Sequence, residues 1–243
     1  MPLYFRNYRF APKWYFIVAT VFLCALFVQL GCWQLERAAT KEYLQDIFTE
    51  RLRLAPLPLE QLPKDTDIRY YPVKATGHYD NAHSLLLDNK IHDHRVGYEI
   101  LTPLIPAGGQ QAVLVNRGWI PAESNRNILP KIPEVTGEQT LVGNVYVTPG
   151  KSFTLGSTLE VGETWPLRIQ ALDIPAVQAK LKRPLYPFIL LLSPQEKEGF
   201  VRDWQPVAMS ASKNTGYAVQ WFSFAGVLII IFFALSIRKN KRA

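Results

Sequence analysis

Two stretches without a single charged side chain, one near each end, restrict this chain more than anything else in it. From Trp14 through Leu35 there are 22 uncharged residues. As a helix they would extend about 33 Å, close to the thickness of a bilayer's hydrocarbon core. From Tyr217 through Ile237 there are 21 more, carrying Phe222, Phe224, Val227, Leu228, Ile229, Ile230, Ile231, Phe232, Phe233 and Leu235. Each run predicts a transmembrane helix.

The net charge of +7 resides wholly in the tails. Arg6, Arg9 and Lys13 precede the first run, and Arg238, Lys239, Lys241 and Arg242 follow the second, with no carboxylate in either tail. The residues between hold 20 basic and 20 acidic side chains, which argues against nucleic acid as a partner. Basic flanks on both tails predict cytoplasmic termini and a central domain across the membrane. A basic start before an apolar run also resembles a cleaved leader, and Leu30, Gly31 and Cys32 resemble a lipoprotein processing site. However, the uncharged stretch continues past Cys32, and Gln29 stands where such sites take an aliphatic residue. A retained helix is therefore expected. Cys24 and Cys32 are about 12 Å apart along that helix, too far for a disulfide. The lack of an Arg- and Ser-rich transit segment before the first run points to a bacterial inner membrane, with the central domain periplasmic.

The expected organisation is a basic cytoplasmic tail over 1–13, a first transmembrane helix over 14–35, an extracytoplasmic domain over 36–212, a second transmembrane helix over 213–237 and a basic tail over 238–243. Within the domain, 36–54 reads as a helix leaving the membrane, ended by Pro56, Pro58 and Pro63. Short strand candidates follow at 68–75, 84–87, 98–104, 112–115, 140–147, 167–170 and 187–192, separated by turn signals such as Gly108-Gly109 and Pro149-Gly150. Asp173, with Pro175 two residues on, marks the start of one short helix. The fold class is thus two transmembrane α-helices flanking a β-rich α+β domain, with a barrel-like antiparallel sheet.

No glycine-rich phosphate loop and no Gly-x-Ser-x-Gly element occurs, so nothing in the sequence supports catalysis. His92 and His94 would share one face of a strand and form the most metal-like feature, the basis of an alternative reading as a membrane-tethered metal-delivery domain. The stretch from Asn89 to Gly97 reads instead as an exposed turn, and two ligands make a poor site. Stronger signals stand at the ends of the spans. Trp33, Arg37 and Lys41 recur every four residues beside Gln34, and Tyr217, Gln220 and Trp221 share a face of the second helix. With the helices antiparallel, the two Trp and Gln pairs would meet at similar depth as a polar, aromatic mouth for a partner or a large planar ligand. The alternative is an ordinary interfacial belt.

Three motifs resemble, in order and spacing, the surfeit locus protein 1 family: Gly31-Cys32-Trp33-Gln34-Leu35-Glu36-Arg37 with Lys41, Val115-Asn116-Arg117-Gly118-Trp119-Ile120-Pro121, and Gly216-Tyr217-Ala218-Val219-Gln220-Trp221-Phe222. The resemblance covers nearly the whole chain. It implies a non-enzymatic assembly factor for haem-copper oxidases, acting while haem a is delivered to cytochrome c oxidase subunit I, in company with other assembly factors and the lipid bilayer. Haem a would be a transient cofactor. The resemblance puts Trp33, Gln34, Arg37, Arg117, Tyr217, Gln220 and Trp221 forward as cofactor-binding residues and implies no resident metal site. Arg117 suits a haem propionate or a partner carboxylate, or else belongs to a folding motif at a strand end. In one respect the chain departs from the family, which commonly carries a histidine three residues before the second-helix tyrosine. Asn214 stands there, and an amide is a poor ligand for haem iron, so ligation would fall to another residue such as Met209 or Tyr217, or the protein would act as a scaffold without ligating haem.

Overall fold

The computed structural model describes residues 3–5, 8–63, 66–148, 164–205 and 210–239, divided between two compact units. The first comprises 1–46 and 206–243 and the second 47–205. In chain order the elements are β1 (Leu3–Phe5), β2 (Tyr8–Phe10), α1 (Trp14–Arg51), β3 (Leu57–Pro58), β4 (Pro72–Tyr79), β5 (Leu85–His92), β6 (Arg95–Pro106), β7 (Ala112–Pro121), β8 (Gln139–Tyr146), β9 (Leu167–Ile169), α2 (Ile174–Leu181), β10 (Leu185–Leu192), α3 (Ala211–Ser236) and β11 (Ile237–Lys239).

In the first unit, α1 and α3 are both long and apolar enough to cross a membrane. They run antiparallel. Phe16 stacks on Phe232 at 5.4 Å and Phe27 on Trp221 at 5.8 Å, while the Cys24 thiol donates to the Ala225 carbonyl. Gly31 permits this approach, because a Cβ there would lie 2.6 Å from the Phe222 ring. At the opposite end of the pair, β2 bonds to β1 and β11, forming a three-stranded sheet that the tail sequences did not announce.

The second unit is built on a closed five-strand barrel in the order β4-β8-β10-β7-β6, with β6 returning to β4 through Gly77↔Pro106 to Tyr79↔Leu104. The β10–β7 pair is parallel and the other barrel pairs are antiparallel, so the barrel is mixed rather than wholly antiparallel. A parallel pair requires a long connection, and the chain between β7 and β10 includes β8, β9 and α2. Residues alternate between two cores. Val113, Val115, Phe188, Leu190 and Leu192 face the first, whereas Ala112, Leu114, Ile189 and Leu191 face the second, where Ile174 and Val177 of α2 pack. Burial on both faces explains why β10 reads as an unbroken apolar run. Asp173 caps α2 by accepting the Ala176 N–H at 3.1 Å, and Lys182 ends it in the left-handed conformation.

Two local expectations are corrected. The 89–97 stretch is largely exposed but is a hairpin and not a turn throughout: beyond a register shift between Leu87 and Lys90, β5 and β6 pair from Lys90↔Gly97 to His92↔Arg95, joined by the two residues Asp93 and His94 at φ 45° and 60°. Positive φ at both positions matches the right-handed twist of a hairpin, and Asp and His tolerate it better than most side chains. Likewise Arg117, Gly118 and Trp119 do not end a strand, since β7 continues to Pro121.

Candidate functional site

Two constellations contain the residues singled out by the sequence, one in each unit. In the membrane unit, a chain of hydrogen bonds links the helices just beyond the uncharged part of α1. Lys41 Nζ donates to Asn214 Oδ1 at 2.6 Å, and Asn214 Nδ2 donates to Gln34 Oε1 at 2.6 Å. One amide thereby serves a cation and a second amide at once, a satisfied arrangement in a place where unpaired polar groups are costly. Trp33 and Tyr217 remain 48% and 53% exposed, and Arg37 and Gln220 are exposed as well.

The two Trp and Gln pairs do not share a depth. Trp221 stacks on Phe27, whereas Gln34 meets Asn214. Trp221 therefore lies level with a residue six positions before Trp33, about 9 Å along the axis. The Gly31 contact and the Asn214 amide fix that register, which residue spacing within either helix does not encode. Trp33, Gln34, Arg37 and Tyr217 gather near the Lys41–Asn214 bond, while Trp221 sits deeper among Phe27 and Phe224.

In the barrel unit, Asn116 through Trp119 ties several separate segments to β7. Arg117 is 1% exposed, with its guanidinium 5.2 Å from the Tyr79 ring and 5.3 Å from the Phe200 ring, and it donates to the Pro133 carbonyl at 3.3 and 3.4 Å. Its Nε finds no acceptor among the described residues. Burial pushes the Arg117 pKa down and the Tyr79 pKa up. Gly118, at φ 114°, lets the 199–202 segment lie against the strand, since a Cβ would come within 2.7 Å of the Val201 carbonyl oxygen. That segment is zipped on by Phe200 N to Arg117 O at 2.8 Å and by Trp119 N to Val201 O at 2.7 Å. The Trp119 indole donates to the Lys90 carbonyl at 2.9 Å, and its ring lies so close to Gly97 that a Cβ there would be 2.6 Å away. Asn116 completes the motif, donating to Glu99 at 2.7 Å and accepting the Gly118 N–H at 3.1 Å. Arg117 is enclosed in the fold and does not face outward for a carboxylate to reach.

The histidines do not converge on one another. His83 pairs with Asp80 at 2.7 Å, and His92 packs on Trp119 at 5.3 Å. No cluster of three or more His, Cys, Asp or Glu suited to a metal ion occurs among the described residues.

A membrane helix pair joined to a small mixed β-barrel defines a membrane-anchored barrel protein. The model of the SURF1 family matches residues 21–226, and the chain belongs to that family. It is 28% identical over 156 residues to Surfeit locus protein 1 of Rattus norvegicus, covering 57% of this chain and 49% of that one. The chain thus spans about half the length of that curated relative. A SURF1-like protein of Rickettsia prowazekii is 24% identical over 225 residues, 89% of this chain and 87% of its own. The Cytochrome oxidase assembly protein SHY1 of Saccharomyces cerevisiae is 31% identical over 100 residues, 39% of this chain and 25% of its own.

The histidine by which the family resemblance would ligate haem is replaced in the membrane unit by Asn214, which leaves Tyr217 among the described residues there of a type that can ligate iron, Met209 lying outside the described residues. All four histidines belong to the barrel unit, and Asn214 has both ends of its amide engaged.

Proposed function

We propose that this chain is an assembly factor for a haem-copper oxidase, a chaperone rather than a catalyst, that holds subunit I in the membrane while haem a is inserted. The observation that carries the reading is the Lys41–Asn214–Gln34 chain with Trp33, Arg37 and Tyr217 exposed around it. A fixed polar and aromatic surface at the edge of a bilayer suits recognition of a membrane partner, because water competes weakly for its hydrogen bonds there. Membership of the SURF1 family and the name of the yeast relative support the oxidase as the client. In this reading the membrane is a bacterial inner membrane, both basic tails are cytoplasmic and the barrel is periplasmic. The protein positions the client and leaves iron ligation to other groups.

The test is deletion of the gene under conditions that demand the oxidase. Mature oxidase and its haem a content should fall, and restoring the chain should recover both. Normal oxidase with full haem a in the deletion strain would refute the reading. Purification in mild detergent from cells that make haem a should bring down oxidase subunit I.

A further inference from the structure

The side of each membrane helix that faces away from its partner is not uniformly apolar. At 3.6 residues per turn, the α1 residues touching α3, namely Phe16, Cys24, Phe27, Gly31 and Gln34, define one face. Ala25, Gln29 and Cys32 fall on the opposite one, and all three are exposed. On α3 the side toward α1 holds Asn214, Ala218, Trp221, Phe222, Phe224 and Ala225, and Gly216, Gln220 and Ser223 lie off that side, again all exposed. Gln29 and Gln220 have no hydrogen-bond partner among the described residues. An amide side chain turned toward hydrocarbon is unfavourable until another polar group meets it.

The two outward faces also match in level. From the Phe27–Trp221 stack, two residues onward in α1 and one backward in α3 reach Gln29 and Gln220, within about 1.5 Å of the same depth. From the Cys24–Ala225 contact, Ala25 and Ser223 agree equally closely. From Gln34–Asn214, Cys32 and Gly216 do so. Each amide is thus flanked by small residues at corresponding levels, and the sequences run in opposite senses, as antiparallel neighbours require.

We infer that α1 of one copy docks against α3 of a second copy, with Gln29 bonded to Gln220 across the contact. The second copy is the occupant because all copies share one orientation and depth in a membrane, so the two faces meet with no vertical offset. The small flanking residues let the backbones approach. The faces lie on opposite sides of the helix pair, so the contact is heterologous and further copies can add. This inference does not depend on the oxidase reading.

Thiol crosslinking in native membranes tests it. In a C24A background, G216C places a new thiol level with the native Cys32 but on the opposite side of the helix pair, so oxidation can join them only between copies. A ladder of crosslinked species is expected on a non-reducing gel. T215C, at nearly the same depth but turned by about 100°, should give none. Adding Q29L or Q220L should lower the crosslinked fraction about threefold. Leucine suits a lipid-facing helix, so this decrease would not reflect misfolding. Persistent monomer with G216C, equal crosslinking with T215C, or adducts only to a different protein would each overturn the inference.

Discussion

Replacing Arg117 separates a residue that holds the barrel together from one that binds a ligand. The guanidinium is 1% exposed, stacked between Tyr79 and Phe200, and has no carboxylate partner in the described hydrogen bonds and ion pairs. Two desolvated cation–π contacts contribute about 1–4 kcal/mol together, against a desolvation penalty of several kcal/mol for the buried charge. The hydrogen bonds to Pro133 are long and add little. The terms nearly cancel, so Arg117→Met, which fills the same slot without charge, should change stability by no more than about 1–2 kcal/mol in either direction. Arg117→Lys keeps a buried charge but cannot lie flat between two rings, and should cost about 3–5 kcal/mol. Arg117→Ala leaves a void and should cost a similar amount. Urea unfolding of the detergent-solubilised protein, followed by tryptophan fluorescence, reads all three. If lysine preserved stability better than methionine, the stacking account would be wrong. If methionine preserved the fold yet abolished oxidase assembly, Arg117 would instead act on a charged partner.

Other perturbations probe the remaining contacts. Gly118→Ala meets both a φ of 114° and the Val201 carbonyl, so it should lose roughly 2–4 kcal/mol in the same urea assay, with faster hydrogen exchange over 199–202. Asn214→Ala removes two interhelical hydrogen bonds and should weaken the helix pair by about 1–3 kcal/mol, measured as a lower thermal midpoint in detergent. An unchanged midpoint would show that the bonds add nothing. Tyr79 has its pKa raised, chiefly by burial. The unfolded phenol therefore releases its proton first, near pH 10, and stability should fall as pH rises beyond that value. Tyr79→Phe should remove that part of the alkaline loss, which parallel pH titrations by circular dichroism would detect.

The membrane helices were legible because their signal is compositional: twenty or so consecutive residues without charge have few other uses. The barrel was legible more coarsely. Strand positions follow from local alternation and turn residues, but closure depends on β6 reaching β4, and the sense of β10 against β7 depends on the route of the intervening chain. Neither is a local property. The 89–97 hairpin was misread because its turn uses Asp93 and His94 instead of the Asn-Gly or Asp-Gly pairs that advertise positive φ. Arg117, Gly118 and Trp119 resembled a strand end for a related reason, since a cation and a glycine interrupt the apolar pattern. Only the arrival of Tyr79, Phe200 and Val201 from distant parts of the chain makes them interior residues.

Residues that sequence reasoning assembled into one functional group thus divide by what they touch. Arg117 spends its guanidinium on Pro133, inside the barrel unit. Trp221 is engaged with Phe27 and Phe224 between the helices. Trp33, Arg37 and Tyr217 alone combine exposure with closeness in register to a satisfied polar cluster, and these features suit a docking surface. Asn214 links the two accounts. An imidazole at this position would have a ring nitrogen available for iron, whereas the amide is already bonded at its oxygen by Lys41 and at its nitrogen to Gln34. Converting it to histidine therefore tests more than one side chain: haem retained by N214H, but not by the unaltered protein, would mean that the surrounding helix ends can receive the cofactor and that only the ligand is missing. No haem in either would mean that the helix ends are shaped for a protein partner.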